Sequence, residues 1–414
     1  MKFKSAAIVL SLCLSGSVAA APQSAPPREH WLTSWYAAPQ PAWGSDFVLP
    51  MNVPAQLDHQ TVRETVRLSA GGHRLRLVLS NRYGRAAVRI GPVRVAVGGA
   101  DRPLTFAGTP TATIPPGAVA TSDPVELDVA PLALLTVRSH LPDRTPIRSF
   151  HWGGQQSLQI SEGDTTTTTS GALPGSRAEG RLFVSAVLVE AAAGSHGVMA
   201  IGDSITDGNG STADANRRWP DVLAARLAPH GIAVANAAIA GGRLLTDGMG
   251  HSALARFDND VLSQPGVADV IVLLGTNDIG WPGGPFAPAE RPVTFDQLTA
   301  GLRQLLAAAH ARGMRVTVGT VPPFERALEG TPFAGHYSES KEALRKQLNH
   351  WLRTVPLFDA VVDFDVVLRD PARPQRLRAA FDSGDHLHPN DAGYRAMAAA
   401  IDIAPLLRAS ERRH

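Results

Sequence analysis

The chain has 414 residues, 44% of them hydrophobic and 18% charged, with a formal net charge of +2. That length exceeds one ordinary domain, and the composition holds material for a sizeable core, which excludes a disordered or fibrous protein. With 39 Lys+Arg against 37 Asp+Glu, there is no basic field for nucleic acid or for an anionic membrane surface.

Taken in chain order, Lys2 and Lys4 precede an apolar run over residues 6–14, and Val18, Ala19 and Ala20 supply small residues for a signal peptidase. Residues 1–20 are therefore expected to be a signal peptide. The run is too short to anchor in a bilayer. Leu12 stands before Cys13 where a lipoprotein would need a small residue, which argues against a lipid anchor. Removal takes the net charge from +2 to 0 and takes away Cys13, the only cysteine. The mature chain is then expected to have no disulfide, no Cys-ligated metal and no cysteine nucleophile. The expectation is an exported protein without a membrane anchor, with periplasm and medium both open.

Residues 28–190 read as an all-β domain. Val62, Glu64, Val66 and Leu68 alternate with Arg63, Thr65 and Arg67. Leu75, Leu77 and Leu79 form a second period-two run, and Val93, Val95 and Val97 a third. Such runs between Gly, Pro, Asn and Asp clusters predict antiparallel strands in a sandwich or jelly roll. Arg63, Arg67, Arg74 and Arg76 then belong to a solvated outer face. The threonine tract 165–169 predicts an exposed loop, and 181–189 a last strand. Seven Trp stand against four Tyr. Trp31, Trp35, Trp43 and Trp152 are either sugar platforms or packing for the sheet, and the second is the expectation. His151-Trp152-Gly153-Gly154 is irregular and aromatic, and is expected to approach the functional site.

After a short linker over 191–195 the period changes. Strands are predicted at 198–201, 232–235, 270–274, 316–320 and 361–364. They alternate with helices at 219–227, 295–312, 341–352 and 391–403. Alternation of this kind predicts a parallel sheet covered on both faces, over a domain spanning 197–410. Ligands of such sheets sit beyond the carboxyl ends of the strands.

Four polar turns fall at that edge: Gly202-Asp203-Ser204-Ile205-Thr206-Asp207-Gly208; Asn236-Ala237-Ala238-Ile239-Ala240-Gly241-Gly242; Gly275-Thr276-Asn277-Asp278; and Asp385-His386-Leu387-His388-Pro389-Asn390. A serine hydroxyl becomes a nucleophile when a histidine takes its proton and a carboxylate orients that histidine. Asp385, three residues before His388, is placed to do so. His386 is the rival base. The amides of Ser204 and Gly241 and the side chain of Asn277 can meet an oxyanion. Asp203 reads as a structural turn residue, Asp207, Asn209 and Asn390 as loop-ordering residues, and Asp278 as a cap for the following segment. No cofactor is called for. Asp385, His386 and His388 lack a fourth neighbouring ligand, so no metal is expected.

These four blocks resemble those of the SGNH (GDSL) hydrolases, over roughly residues 197–403. The resemblance implies a flavodoxin-like three-layer α/β/α domain, a catalytic Ser204, an Asp385/His388 pair, and Gly241 and Asn277 in an oxyanion hole. Ala240-Gly241-Gly242 departs from the commoner Ser-Gly-Asp block, which leaves Gly241 or Gly242 as the donor. Residues 30–40, HWLTSWYAAPQ, resemble the opening of secreted two-domain members grouped with xylan-degradation proteins.

The expectation is an exported serine esterase for short acyl, acetyl-type esters, with a small ester or an acylated plant polysaccharide as substrate. A broad arylesterase or lipase-like esterase, and a non-catalytic carbohydrate-binding protein, are the alternatives. A glycosidase built on Asp203 and Asp385 is a third. The oligomeric state is left open.

Overall fold

The computed structural model describes residues 29–169 and 175–411. The expected signal peptide and Cys13 lie outside the described residues. Among the described residues, no helix is long and apolar enough to cross a membrane.

The amino-terminal half is built of antiparallel sheets. One contains β1 (Trp31–Tyr36), a second contains β2 (Gln60–Arg67), and β3 (Gly72–Ser80) returns to the first. β4 (Leu134–Leu141) and the long β5 (Ser149–Glu162) flank β2 in the second sheet. Leu75, Leu77 and Leu79 of β3 and Val62 and Val66 of β2 fill one core between the sheets, as their period requires. Glu64 keeps the same inward register and is buried with them. Burial pushes its carboxyl up to about 7, against the charge of Arg181 and the Leu182 N–H. The outward arginines are only part-exposed. Arg74 pairs with Glu190 and Glu29, and Arg76 stacks over Trp31 with 4.8 Å to the ring centroid. Trp35 is buried beneath Arg181, so it offers no face to a sugar.

Two expectations in this half are corrected. The single strand at 181–189 is two: β6 (Ser176–Leu182) pairs with β5, and β7 (Val184–Glu190) pairs with β1 and β3. Phe183, in the left-handed region at φ 67°, is the corner where the chain changes sheets. The threonine tract is not simply exposed. Thr166 is buried and bonds to Asp164, and the Thr168 carbonyl accepts from the buried Arg138.

After residues 191–196 the parallel sheet begins. It comprises β8 (Gly197–Gly202), β9 (Ala233–Asn236), β10 (Val267–Leu273), β11 (Arg315–Gly319) and β12 (Ala360–Val362). Their order in space is β9-β8-β10-β11-β12, all parallel. This is the doubly wound order, whose switch point lies between the carboxyl ends of β8 and β10. Ser204–Asp207 form α1 directly after β8, and Trp219–Leu227 form α2. Thr276–Gly280 form α3, Phe295–His310 α4, Glu339–Thr354 α5 and Asp391–Ala400 α6. Val198 and Ala200 of β8 face α2 and α6, whereas Met199 and Ile201 face α4 and α5. Helices on both faces make the three layers. Trp219 is fully buried between α2 and its neighbours, so it is core.

The halves share core and hydrogen bonds. Tyr36, Ala38, Ala186 and Leu188 pack into the core on the α4 and α5 side. The Thr33 N–H donates to the Pro265 carbonyl at 3.0 Å, the Val234 N–H to Ser69 Oγ at 3.0 Å, and the Tyr36 hydroxyl to Asp260 at 2.8 Å.

Candidate active site

The carboxyl end of β8 turns sharply into α1. Asp203 caps that helix, its Oδ1 accepting the Ile205 N–H at 3.0 Å, and this presents Ser204 at the first helical position. The other end of the constellation is a loop before α6. There Asp385 Oδ1 accepts the backbone N–H of Leu387 at 2.9 Å and of His388 at 2.8 Å, and the Ser383 hydroxyl at 3.1 Å. Its Oδ2 meets His388 Nδ1 at 2.5 Å. A carboxylate only accepts, so Nδ1 carries the proton and Nε2 is left as the acceptor. His388 Nε2 lies 2.8 Å from Ser204 Oγ. Carboxylate, imidazole and hydroxyl thus form one directed chain between residues 184 positions apart.

Burial pushes the Asp385 carboxyl up, but the hydrogen bond and charge of His388 and the loop N–H groups outweigh it, and the group lies well below the usual carboxylate range. His386 takes no part. Its ring bonds Asp382 at 2.5 Å, and its own N–H donates to the same carboxylate. Each histidine of the block has its own aspartate, and the backbone at His386 (φ 61°) turns the two rings apart.

The hydrogen bonds around the candidate oxyanion donors are equally defined. The Gly242 N–H is committed to the Ile239 carbonyl at 2.8 Å, whereas the N–H groups of Ser204 and Gly241 donate to nothing among the described residues. This favours Gly241 of the two glycines. Gly241 sits at φ 68°, and a Cβ there would meet Met249 Sδ at 2.6 Å and the Trp281 ring at 2.7 Å. Asn277 stands on the first turn of α3. One of its amide hydrogens goes to the Gly242 carbonyl at 3.1 Å, and the other has no partner among the described residues. Asp278 does not cap the following segment. It reaches back and accepts the N–H of Leu244 at 2.8 Å and of Leu245 at 3.0 Å, pinning the loop that carries Gly241. Asn390 caps α6, and the Asn209 carbonyl accepts from the Tyr394 hydroxyl.

Such an arrangement can deprotonate a hydroxyl at Ser204 and hold negative charge beside it. Residues 200–396 match the model of the GDSL-like Lipase/Acylhydrolase family. The chain carries a GDSL-like acylhydrolase domain. That domain puts the chain in the esterase and lipase class of hydrolases. Solved structures similar to the chain include a GDSL-like lipase from Bacteroides thetaiotaomicron VPI-5482, at 18% identity, covering 53% of this chain and 89% of that one, with a TM-score of 0.37. A lipase/acylhydrolase from Enterococcus faecalis is 20% identical, with 52% and 96% covered and a TM-score of 0.37. A mutant of an acetyl-xylooligosaccharide esterase from Geobacillus Stearmophilus is 22% identical, with 52% and 94% covered and a TM-score of 0.35. No curated protein matches the chain.

Around the GDSL-like site, Gln40, Phe47, Phe286, Phe333 and His336 carry no role in the sequence reading, whereas Trp43 and Trp152 do. Gln40, buried, donates to the Met249 carbonyl at 2.8 Å and accepts the Trp152 N–H at 2.7 Å, so it ties the first antiparallel segment to the loop beside Gly241. Its signal was its place in the HWLTSWYAAPQ segment. Trp43, Phe47, Trp152 and Phe286 pack against the buried cluster of Ala240, Met249, Trp281 and Ala287. Phe286 stacks on Trp281 at 4.7 Å and on Phe333 at 5.2 Å between ring centroids, extending an aromatic row away from Gly241. His336, buried against Gly280, is pushed down to about 3 by burial, helped by the charge of Lys341. It stays neutral at working pH.

Asp203 gives a pH-dependent expectation. Burial pushes its carboxyl up to about 7, against the Ile205 N–H and the charge of His388. Its Oδ2 and the hydroxyl of the neighbouring Thr276 are buried on the same side, and Thr276 lowers the carboxyl without offsetting burial. A proton or an amide N–H on that side can bridge them. The folded group is raised above its unfolded value, so between about pH 4 and pH 7 the folded chain holds a proton the unfolded chain has lost. Stability then falls as pH rises through that window, by at most about 1.4 kcal/mol per pH unit, and levels off above it. Asp203→Asn removes this slope. Thermal melts from pH 4.5 to pH 8 are expected to show the variant gaining on the parent as pH rises, and parallel curves would refute the assignment.

Proposed function

We propose that the protein is a serine carboxylic-ester hydrolase in which Ser204 is the nucleophile, His388 the general base and acid, and Asp385 the group that orients His388. The observation that carries this reading is the unbroken chain Asp385–His388–Ser204, ending on a hydroxyl flanked by uncommitted N–H donors. Ser204 Oγ attacks the ester carbonyl as Nε2 of His388 takes its proton. The N–H of Ser204, the N–H of Gly241 and the second amide hydrogen of Asn277 hold the oxyanion. His388 returns the proton to the departing alcohol. Water, deprotonated by the same ring, then attacks the acyl group, releases the acid and restores Ser204.

Incubation with a p-nitrophenyl organophosphonate and peptide mapping tests the nucleophile. The expected result is one phosphonyl group, on Ser204, with activity lost in proportion. Labelling elsewhere would overturn the assignment. Asn277→Ala is expected to lower kcat by about 10²–10³ with little change in KM, because the amide bonds the oxyanion and not the ground-state ester. Steady-state kinetics on p-nitrophenyl acetate would check this, and a KM effect alone would remove Asn277 from the oxyanion hole.

The acyl group proposed is short. Met249 and Trp281 fill the space against Gly241, which supports acetyl over long chains, and acetylated plant polysaccharide is the substrate class we favour. The row of Trp281, Phe286 and Phe333 supports a second reading, an aryl or other apolar alcohol. Comparing acetylated xylan with aryl acetates separates the two. We also propose export, on the strength of Lys2, Lys4 and the apolar run that follows, and a domain boundary within 191–196.

A further inference from the structure

β5 does not run straight through its sheet. Its register to β6 shifts between Trp152 and Ser157, and Gly153, Gly154 and Gln155 lie consecutively in the left-handed region at φ 69°, 66° and 52°. A bulge re-aims the side chains around it. His151 stands just before this one, still paired with Arg181, and the bulge folds against its ring, where a Cβ on Gly154 would lie 3.2 Å from Cδ2. His151 Nδ1 lies 2.9 Å from the Ala38 carbonyl, and Nε2 lies 3.1 Å from Asp207 Oδ1. Both residues are almost fully buried, at 4% and 2% exposure.

The proton count of this contact is constrained. A carbonyl only accepts, so Nδ1 donates to Ala38. The neutral ring then presents a lone pair at Nε2 to a carboxylate that also only accepts. A bond forms only if one more proton sits between them, as an imidazolium facing a carboxylate or as a neutral ring facing a carboxylic acid. The other oxygen of Asp207 has no partner among the described residues, so His151 is the group that satisfies this side chain. The charges of Arg218 and Arg181 and the Tyr394 phenol also act on Asp207.

Asp207 closes the single turn that Ser204 opens. Its N–H donates to the Asp203 carbonyl at 2.9 Å, and the next N–H, of Gly208, donates to the Ser204 carbonyl at 2.8 Å. The same bulge supports the end of this turn again. Arg218 donates to the Gly154 carbonyl at 3.2 Å, and its stem packs where a Cβ on Gly208 would lie. We infer that His151 is a positioning residue for Ser204: the amino-terminal half, through the His151–Asp207 bond, sets the orientation of the nucleophile's turn. The antiparallel half is then part of the catalytic apparatus and not an appended module. This rests on the reading of Ser204 as nucleophile. The expected size follows from reacting geometry, where a displacement of about 1 Å costs about a hundredfold.

The test uses the full chain with His151→Phe, His151→Gln, Asp207→Leu and the Phe/Leu double variant. Three quantities are read: kcat, KM, and the rate of phosphonylation of Ser204. His151→Phe is expected to lower kcat and the phosphonylation rate together, by about 10- to 100-fold, with KM within about twofold. His151→Gln, which keeps an N–H for Asp207, is expected to fall between Phe and the parent. The double variant is expected to be no slower than the slower single one, because both remove one bond. A folded His151→Phe with kcat within threefold of the parent overturns the proposal, as do single losses that multiply in the double. If His151→Phe gives no cooperative melt, His151→Gln and Asp207→Leu carry the test, and equal rates in parent and Asp207→Leu overturn it. A parent that is not phosphonylated on Ser204 sinks the nucleophile reading itself. A labelled parent with unaffected variants sinks only the role of His151.

Discussion

Ser204→Ala is expected to lower kcat on p-nitrophenyl acetate by about 10⁵–10⁶, with the fold intact. The loss is large because, among the described residues, no other hydroxyl is bonded to Nε2 of His388. The fold survives because alanine is at home at the first position of α1, and the Asp203 cap that starts the helix does not use the serine side chain. The melting temperature should therefore move by no more than a few degrees. The residual rate would come from the oxyanion donors and from His388 acting on water. An equally active variant would remove Ser204 from the chemistry and turn attention to carboxylates. Of those, Asp203 is fully buried and holds Ile205, while Asp385 is engaged by His388. Neither is placed as the free acid of a glycosidase.

The site's legibility follows from where each residue sits. Ser204, Asn277 and the Gly241 loop each come directly after a parallel strand, and a strand read from its apolar run places the next residues at one sheet edge. His388 and Asp385 were legible because their partnership is local, three residues within one loop. What failed involved longer reach. Asp278 caps nothing in its own segment, because the amides it satisfies belong to Leu244 and Leu245. The helix that carries Asn277 has five residues and is preceded by Gly275 at φ 118°, too short for a period to register. The corner at Phe183 was hidden because residues 181–189 remain apolar enough for one strand, and only pairing with two different sheets splits them. His151 stands in a segment with no regular period, and Asp207 in a polar turn. Their meeting depends on a bulge and on the docking of two halves, which no local pattern encodes.

Asp385→Asn is expected to lower kcat by about 10⁴, and the reason lies in the donors around that side chain. Every group that touches Asp385 donates. Leu387 N–H, His388 N–H and the Ser383 hydroxyl meet one oxygen, and His388 Nδ1–H meets the other. An asparagine offers one accepting edge and one donating edge. Keeping the three loop donors satisfied aims its NH₂ at Nδ1. The ring must then present a lone pair at Nδ1 and move its proton to Nε2, the atom that has to accept from Ser204. The base is blocked by its tautomer with the geometry intact. In the opposite orientation the NH₂ confronts three donors and the loop gives way. The variant also forfeits a pH-dependent contribution. Asp385 is depressed below its unfolded value, so it stabilises the fold above about pH 4, and that contribution is lost as pH falls towards the folded value. For the same reason Asp385 is ionised throughout the range in which the enzyme is assayed, and the acid limb of the rate profile belongs to another group. Kinetics and melts of Asp385→Asn between pH 4 and pH 9 check both points. A variant with a parent-like kcat at neutral pH would show that Asp385 does not fix the tautomer of His388.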